Sequence, residues 1–396
     1  MPVSLGTDRL LASSRLDGRR VGIVCNPASI DRELRHIADR LIETAGPPGS
    51  ARHGARLTAI FGPQHGFRSD VQENMIETGH ARDALRRVPL YSLYSETREP
   101  TAEMLRDVDL LVVDLQDVGT RIYTYIYTMA NCLVAAKKHG ITVIVCDRPN
   151  PIGGDAVEGP MLVPGFESFV GLYPLPMRHG MTIGELARLF NDAFGIGADL
   201  EVVTMEGWSR GMYFDETGIP FVLPSPNIPT LDSAVVYPGT VLFEGTNASE
   251  GRGTTRPFEL VGAPWIDAER FADQMNARGL PGVHFRPAVF EPTFQKHAKT
   301  ACGGCQIHVL DRDTFRPVLT GAALIDAVKS AGPREFAWRN PPYEYEHDKE
   351  PIDILAGSPA FRQALDAGKK AEDLVPAWEL ESKPFEKARA GYLIYS

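Results

Sequence analysis

A cluster of polar side chains directly follows a short apolar stretch near the middle of the first half of the chain. Residues 110–113 are rich in valine and predict a strand that is buried on both faces, as in a parallel sheet. The residues that follow bring acids, an amide, a hydroxyl and a guanidinium to one place: Asp114, Gln116, Asp117, Thr120 and Arg121. Ligands of open α/β sheets bind outside the carboxyl ends of the strands, so this cluster is a candidate site. The alternative is that Asp114 or Asp117 only caps the next helix.

Polar segments also follow three other predicted strands, at residues 57–61, 88–93 and 141–146. The side chains singled out there are His65, Glu96, Arg148 and Asn150. A helix predicted over residues 123–138 is apolar nearly all round and should be buried, but Tyr123 lies in its first turn, nearest the strand ends. Polar groups that recur at strand ends predict a single cleft along one edge of the sheet.

The elements that would position these side chains divide the chain into two domains, which its 396 residues are enough to form. Residues 1–230 alternate strands with helices, which predicts an α/β fold with a doubly wound, mainly parallel sheet. Residues 231–396 lack that alternation and predict a smaller α+β domain that closes the cleft. Four prolines within residues 220–229 mark the junction, and residues 342–355 mix aromatic and acidic side chains that could reach back to the cleft.

A second polar loop, residues 243–257, follows the proline-rich junction and contains Glu250, Arg252 and Thr254 among its acids, arginines, hydroxyls and glycines. No Gly-Lys-Ser/Thr sequence ends it, so a phosphate-binding loop is disfavoured. Arginines in forked geometry fit a sugar or peptide that bears a carboxylate. The alternative is a solvated charged loop without a ligand.

The charge balance argues against binding to nucleic acid or to an anionic membrane. The chain has 41 Lys and Arg against 51 Asp and Glu, a formal net charge of −10. No apolar run approaches the roughly 18 residues of a membrane span. The first residues lack a basic start and an apolar signal core, so a cytoplasmic location is expected, or a periplasmic or secreted one if a signal segment has been removed.

No cofactor or metal is predicted from the sequence. The five cysteines are odd in number and three of them lie in apolar runs, which favours reduced, buried thiols over disulfides. Cys302 and Cys305 have the spacing of a zinc-ligand pair, but there is no second pair, and His297 and His308 match no zinc-finger pattern. We interpret the two thiols as incidental to turns formed by Gly303 and Gly304. The dinucleotide-binding glycine fingerprint is also missing.

Seven motifs, in order, resemble one known family. They are residues 61–68 (FGPQHGFR), 92–96 (SLYSE), 113–125 (VDLQDVGTRIYTY), 147–151 (DRPNP), 158–160 (EGP), 250–255 (EGRGTT) and 351–355 (PIDIL). Together they resemble the NamZ-like peptidoglycan exo-β-N-acetylmuramidases, from about Val21 to the C-terminus. The resemblance implies a Rossmann-like first domain, a smaller C-terminal domain and a cleft between them. It also implies release of N-acetylmuramic acid from the non-reducing end of cell-wall glycans such as muropeptides.

The residues are compatible with glycoside hydrolysis, which usually needs a protonated carboxyl and a second carboxylate, or an N-acetyl group that assists from the substrate. Glu96 is the candidate acid, because its neighbours Leu93 and Tyr94 would raise its pKa by desolvation. The candidates for the second role are Asp114, Asp117 and Glu250. Their separation from Glu96 would determine retention or inversion, and the sequence does not give that distance.

The remaining polar residues are predicted to bind substrate: His65, Gln116, Arg121, Tyr123, Arg148, Asn150, Arg252 and Thr254. Because N-acetylmuramic acid carries a lactyl carboxylate, Arg121, Arg148 and Arg252 are the candidate cations for it. One alternative is a non-catalytic protein that binds sugars or muropeptides in the same cleft. Another is a nicotinamide-dependent enzyme, which the missing glycine fingerprint disfavours.

Overall fold

The computed structural model describes residues 2–45, 54–73 and 75–396. Its strands are β1 (Arg20–Cys25), β2 (Arg56–Gly62), β3 (Ala81–Asp83), β4 (Val88–Ser92), β5 (Leu110–Asp114), β6 (Thr142–Cys146), β7 (Glu158–Met161), β8 (Pro176–Arg178), β9 (Leu200–Val203), β10 (Leu260–Ala263), β11 (Val283–Phe290) and β12 (Cys302–Val309). Its α-helices are α1 (Gly6–Leu11), α2 (Ile37–Ala45), α3 (Tyr125–His139), α4 (Ile183–Asp192), α5 (Leu231–Thr240), α6 (Ala268–Ala277), α7 (Pro317–Ala331), α8 (Pro351–Ala356), α9 (Ala360–Asp366) and α10 (Val375–Arg389). Short 3₁₀ turns cover Phe214–Thr217, Val241–Gly245 and Ala371–Leu374.

A seven-stranded sheet organises the first part of the chain, in the order β3-β4-β2-β1-β5-β6-β9. All neighbouring strands run parallel except β3, which pairs with β4 in the antiparallel direction. The strand order reverses beside β1, since β2 lies on one side of it and β5 on the other. This topology confirms the predicted doubly wound, mainly parallel α/β fold, and it places the crevice for a ligand at the carboxyl ends of these central strands.

Local sequence accounts for the elements next to that crevice. Every residue of β5 is buried, as its valine-rich sequence predicts. Helix α3 begins two residues later than predicted, which leaves Tyr123 in the loop before it, and it ends at Gly140, whose φ of 65° suits a residue without a side chain. Helix α4 begins with a capping box in which Thr182 and Glu185 accept hydrogen bonds from each other's backbone N–H groups.

The second part of the chain is built on a three-stranded antiparallel sheet in the order β10-β12-β11. The helices of both parts share one continuous apolar core. This core includes Val113 and Phe190 from the first part and Phe271 and Trp378 from the second. Helix α5 is the first element after residue 230. The division of the chain at that point stays a prediction.

The interpretation that Cys302 and Cys305 belong to turns is wrong. Cys302 and Cys305 belong to β12 and not to a turn, and both are buried free thiols. Gly303 and Gly304 are needed for close packing, because a Cβ atom would lie 2.0 Å from the carbonyl oxygen of Ile266 or of Val261, respectively. Within the described residues, no helix is long and apolar enough to cross a membrane.

Candidate active site

A cleft lies at the carboxyl ends of the central strands and consists of two adjoining spaces. The deeper space, called the inner chamber here, is small, with a cavity volume of about 30 Å³. It is lined from both parts of the chain, by Gln64, His65, Ile122, Tyr123, Thr124, Tyr125, Val170, Ser225, Asn227, Ile228, Tyr237, Glu244, Arg252, Phe258, Tyr343 and Glu344. The more open space, called the vestibule, has a cavity volume of about 420 Å³ and is lined by Glu77, Ser95, Glu96, Thr97, Arg98, Phe169, Glu344, Tyr345 and Glu346. Glu344 lines both spaces and so connects them.

Glu344 is a buried acid at the centre of this cleft. Its side chain is almost fully buried, and the hydroxyl of Tyr94 donates a hydrogen bond to its Oε2 at 3.2 Å. Burial, with a smaller contribution from the nearby carboxylate of Glu244, raises the pKa of Glu344 to about 7. A carboxyl group with this pKa keeps its proton in a large fraction of molecules at neutral pH, so it can act as a general acid.

Glu244 and Arg252 form a buried ion pair in the inner chamber. Arg252 Nη2 donates to Glu244 Oε1 at 2.6 Å, and the hydroxyl of Tyr343 donates to Glu244 Oε2 at 2.7 Å. The guanidinium also lies against the ring of Phe258, at 5.3 Å from its centroid. Arg252, one of the predicted binding residues, therefore lies in the cleft. Glu244 neutralises much of its charge.

Glu96 also lies in the cleft, but its environment is the opposite of the expected one. Leu93 and Tyr94 are buried in the core and leave the Glu96 side chain 70% exposed in the vestibule. Hydrogen bonds from Ser95, from the backbone N–H of Glu96 and from His80 lower the pKa of Glu96 to about 2. The predicted desolvation and raised pKa are therefore wrong, because the apolar neighbours in sequence do not pack against the carboxylate. Glu96 is a stable anion at neutral pH.

Asp114 and Arg148 form a buried ion pair behind the cleft. Arg148 Nε and Nη2 both donate to the Asp114 carboxylate, and Nη2 also donates to the carbonyl oxygen of Ile30 at 2.8 Å. Neither side chain is more than 2% exposed, and neither lines the inner chamber or the vestibule. In this arrangement the pair ties the end of β5 to the end of β6, away from the lining of the cleft.

Asp117 also holds the loop after β5 in place. Its Oδ2 accepts a hydrogen bond from Gly119 N at 2.8 Å and lies 3.2 Å from Nε2 of the buried His179. Gly119 has a φ of 79°, and a Cβ atom there would lie 2.5 Å from Oδ1 of Asn150, so this turn requires glycine.

Three predicted binding residues support the same loops from inside the protein. Gln116 Nε2 donates to the carbonyl oxygens of Asp117 and Pro149, both at 2.8 Å, and Asn150 Nδ2 donates to that of Met181 at 3.0 Å. Arg121 Nη2 donates to the carbonyl oxygen of Leu355 at 3.0 Å, and burial lowers the pKa of Arg121 to about 10. None of the three lines the inner chamber or the vestibule. Their place in the structure does not fit direct contact with a substrate.

Glu250 and Thr254 stabilise the second polar loop. Lys296 Nζ donates to Glu250 Oε2 at 2.7 Å and to two backbone carbonyls. Burial would raise the pKa of Glu250, but the charges of Lys296 and Arg252 outweigh it and lower that pKa. Thr254 Oγ1 donates to the carbonyl oxygen of Gly251 within a turn. A carboxylate oxygen of Glu250 lies 3.9 Å from Nε of Arg252, and neither Glu250 nor Thr254 lines the cleft.

His65 and Tyr123 line the inner chamber, as predicted for binding residues. The ring of His65 bonds through Nδ1 to the carbonyl oxygen of Val71 at 2.7 Å, so Nδ1 carries the proton and Nε2 is left as an acceptor. Burial lowers the pKa of His65 to about 4, which keeps the ring neutral. The ring of Tyr123 packs against that of Tyr125, with centroids 4.6 Å apart.

Sequence reasoning did not single out Glu344, Glu244, Tyr343 or Arg98, although the first and third lie in the segment expected to reach back to the cleft. That segment does line it. The available signal was the alternation of aromatic and acidic residues at positions 343–346. Among the described residues, no group of three His, Cys, Asp or Glu side chains is placed to hold a metal ion.

Comparison with known proteins identifies the family. Residues 21–232 match the model described as exo-β-N-acetylmuramidase NamZ, N-terminal, and residues 235–395 match its C-terminal counterpart. The chain is 48% identical over 395 residues to a protein of Bacillus subtilis (strain 168) named peptidoglycan β-N-acetylmuramidase NamZ, covering 99% of this chain and 91% of the relative.

Two crystal structures of DUF1343 family proteins from Bacteroides fragilis NCTC 9343 have a similar fold. One superposes with a TM-score of 0.88 at 33% identity, and the other with a TM-score of 0.75 at 26% identity. Each comparison covers 100% of this chain and 99% of the other. The resemblance inferred from the seven motifs is confirmed, and the chain belongs to the exo-β-N-acetylmuramidase NamZ family.

Proposed function

We propose that this protein is an exo-acting glycoside hydrolase that releases N-acetylmuramic acid from the non-reducing end of peptidoglycan fragments. Membership of the family and the full-length similarity to a peptidoglycan β-N-acetylmuramidase support this activity. The substrate is a glycan or muropeptide that enters the cleft from the vestibule. The cytoplasmic location expected from the sequence stays a prediction.

The proposed chemistry depends on two carboxyl groups in the same vestibule whose pKa values are displaced in opposite directions. The pKa of Glu344 is raised to about 7 and that of Glu96 is lowered to about 2. Glycosidases need one protonated and one ionised carboxyl at the same pH, and different environments are how proteins provide both. This pair of pKa shifts is the observation that supports the assignment of roles.

In the proposed mechanism, Glu344 donates its proton to the glycosidic oxygen as the bond to the anomeric carbon breaks. Glu96, which is ionised, stabilises the positive charge that develops on the sugar ring. A water molecule then supplies the hydroxyl group of the released sugar, and its proton returns to a carboxylate of the site. Glu96 thus keeps a catalytic role, but as the anionic partner and not as the acid.

A non-catalytic sugar-binding protein is the second candidate. A binder needs hydrogen-bond donors, but it gains nothing from several carboxylates at one place, each of which is costly to desolvate. Glu96, Glu244 and Glu344 all line the cleft. This concentration of acids favours catalysis.

Two substitutions test the roles, each measured with two kinds of muramide. Glu344→Gln should slow turnover of a muramoyl disaccharide by about two or more orders of magnitude, because its leaving group needs a proton. The same variant should lose much less activity on a chromogenic aryl β-N-acetylmuramide, whose leaving group is good. Glu96→Gln should slow both substrates, because the positive charge develops in either case.

Glu103→Gln is a matched control, because its side chain is 79% exposed and it lines neither space of the cleft. It should behave as the wild-type protein does. Wild-type turnover of the disaccharide by folded Glu344→Gln would contradict the proposed acid. Binding of muramides by the wild-type protein without any turnover would favour the sugar-binding protein.

A further inference from the structure

The substrate poses a problem of charge in the vestibule. N-acetylmuramic acid differs from N-acetylglucosamine by a lactyl ether that ends in a carboxylate. Four of the residues that line the vestibule are glutamates: Glu77, Glu96, Glu344 and Glu346. An anionic sugar is repelled by such a surface unless a cation is placed to receive its carboxylate.

The three arginines expected to do this from the sequence are poorly placed for it. Arg121 and Arg148 are buried behind the cleft and line neither space. Arg252 lines the inner chamber, but its Nη2 already donates to Glu244 at 2.6 Å and its Nε lies 3.9 Å from Glu250. Two carboxylates therefore neutralise Arg252 before any ligand arrives.

Arg98 has the position that the other three lack. Among the described residues that line the vestibule, it is the one cation, and it shares that space with both Glu96 and Glu344. Its side chain is 22% exposed. Its nearest acidic partner is Glu77, at 3.7 Å, which is longer than a hydrogen bond.

Three aromatic rings hold the guanidinium of Arg98 in place. Its central carbon lies 4.2 Å from the ring centroid of Tyr94, 4.8 Å from that of Tyr345 and 5.2 Å from that of Phe169. Nη1 donates to the carbonyl oxygen of Ser95. A guanidinium has five N–H donors, so several remain for a ligand, and the rings reduce the conformational entropy lost when it binds.

We propose that Arg98 recognises the lactyl carboxylate of the substrate and determines the preference for N-acetylmuramic acid over N-acetylglucosamine. The inference rests on the proposed function, since it names the specificity residue of that same cleft. Arg98 takes no part in proton transfer, and its contribution is the pairing of its fixed guanidinium with the sugar's carboxylate. The long contact with Glu77 is the interaction that the substrate replaces.

The test compares Arg98→Met and Arg98→Lys with the wild-type protein on three chromogenic substrates. These are a β-N-acetylmuramide, its lactyl methyl ester and a β-N-acetylglucosaminide. Arg98→Met should lower kcat/KM for the free acid by about 10- to 100-fold, the scale of a hydrogen bond to a charged group, mainly through KM. Its kcat/KM for the ester and the glucosaminide should fall much less, and Arg98→Lys should recover part of the loss on the free acid. Arg106→Met, at a side chain that is 70% exposed, is the matched control.

The outcomes separate this inference from the proposed function. If Arg98→Met keeps the wild-type preference for the free acid over its methyl ester, Arg98 does not bind the lactyl carboxylate and the inference is overturned. If it loses the same activity on all three substrates, its role is structural and the inference is overturned. If the wild-type protein hydrolyses no muramide, the proposed function fails. Calorimetric binding of N-acetylmuramic acid to the wild type and to Arg98→Lys, with N-acetylglucosamine as reference, then tests recognition by itself.

Discussion

His80 Nε2 lies 2.9 Å from Oε1 of Glu96, and the opposite nitrogen of the same ring accepts a hydrogen bond from the N–H of Ser92 at 3.0 Å. Because Nδ1 is the acceptor, the neutral ring carries its proton on Nε2 and donates it to the carboxylate. The bond holds the exposed side chain of Glu96 in the vestibule. Several hydrogen bonds stabilise the ionised form of Glu96. The bond from Ser95 contributes most, and the bond from His80 is a smaller contribution.

Removing His80 should therefore shift the pH dependence of the reaction. His80→Ala removes one of the interactions that lower the pKa of Glu96, so this pKa should rise from about 2 part of the way to the ordinary value. The acidic limb of the kcat/KM profile should move to higher pH, since Glu96 acts in its ionised form. His284→Ala, at an exposed histidine of β11, should leave the profile unchanged. An unmoved acidic limb in His80→Ala would show that Glu96 does not control it.

Glu344 should make the protein less stable as the pH rises from about 4 to about 7. Its pKa is about 7 in the folded protein and that of an unfolded glutamate is about 4.3, so the folded state binds more protons between these values. The free energy of unfolding contributed by this group is then highest below about pH 4 and falls as the pH approaches 7. Glu344→Gln should be more stable than the wild type at pH 8, by about 1 to 3 kcal/mol, and equal to it at pH 4. Urea unfolding at both values measures this, and a variant that is less stable at pH 8 would falsify the assigned environment.

Breaking the Asp114–Arg148 pair should reduce stability. Arg148→Met leaves a buried carboxylate without its cation, which costs about 3–5 kcal/mol. The double variant Asp114→Leu/Arg148→Met should recover much of that loss, because no unpaired charge remains. Urea unfolding of the two variants tests the pair, and the folded fraction of each should keep the preference for muramides. If Arg148→Met were as stable as the wild type but lost the preference for muramides, Arg148 would be a substrate-binding residue.

Activity should require both parts of the chain. Residues 1–230 contain Glu96 and His65, but Glu344 and Arg252 come from the second part. The isolated segment 1–230 should therefore show no muramidase activity, even if circular dichroism finds it folded. Full activity in that segment would mean that Glu344 and Arg252 are not needed for catalysis.

Chelation should leave the activity unchanged. The part of the chain that the structure describes has no group of three metal-binding side chains, and Cys302 and Cys305 are explained by the packing of β12. Muramidase activity is measured before and after exhaustive dialysis against a chelator, with a zinc hydrolase treated in parallel as a positive control. A loss that zinc or magnesium restores would contradict this expectation.

The amino-acid sequence by itself determined many of the elements and the region of the site. Apolar runs with β-branched residues define β1, β2 and β5, and the Thr182–Glu185 capping box defines the start of α4, because these signals act between residues close in the chain. Alternating strands and helices predict the parallel sheet, whose geometry brings the strand ends to one edge. The ordered motifs were enough to indicate the family.

Only the tertiary structure decided which polar side chains face the cleft. Asp114 and Arg148 neutralise each other in the interior, whereas Glu96 stays in solvent although its sequence neighbours are apolar. Glu344 enters the site from a segment near the C-terminus and loses its contact with water there. Burial, pairing and pKa depend on groups brought together from distant parts of the chain, and residue type and local spacing do not determine those contacts.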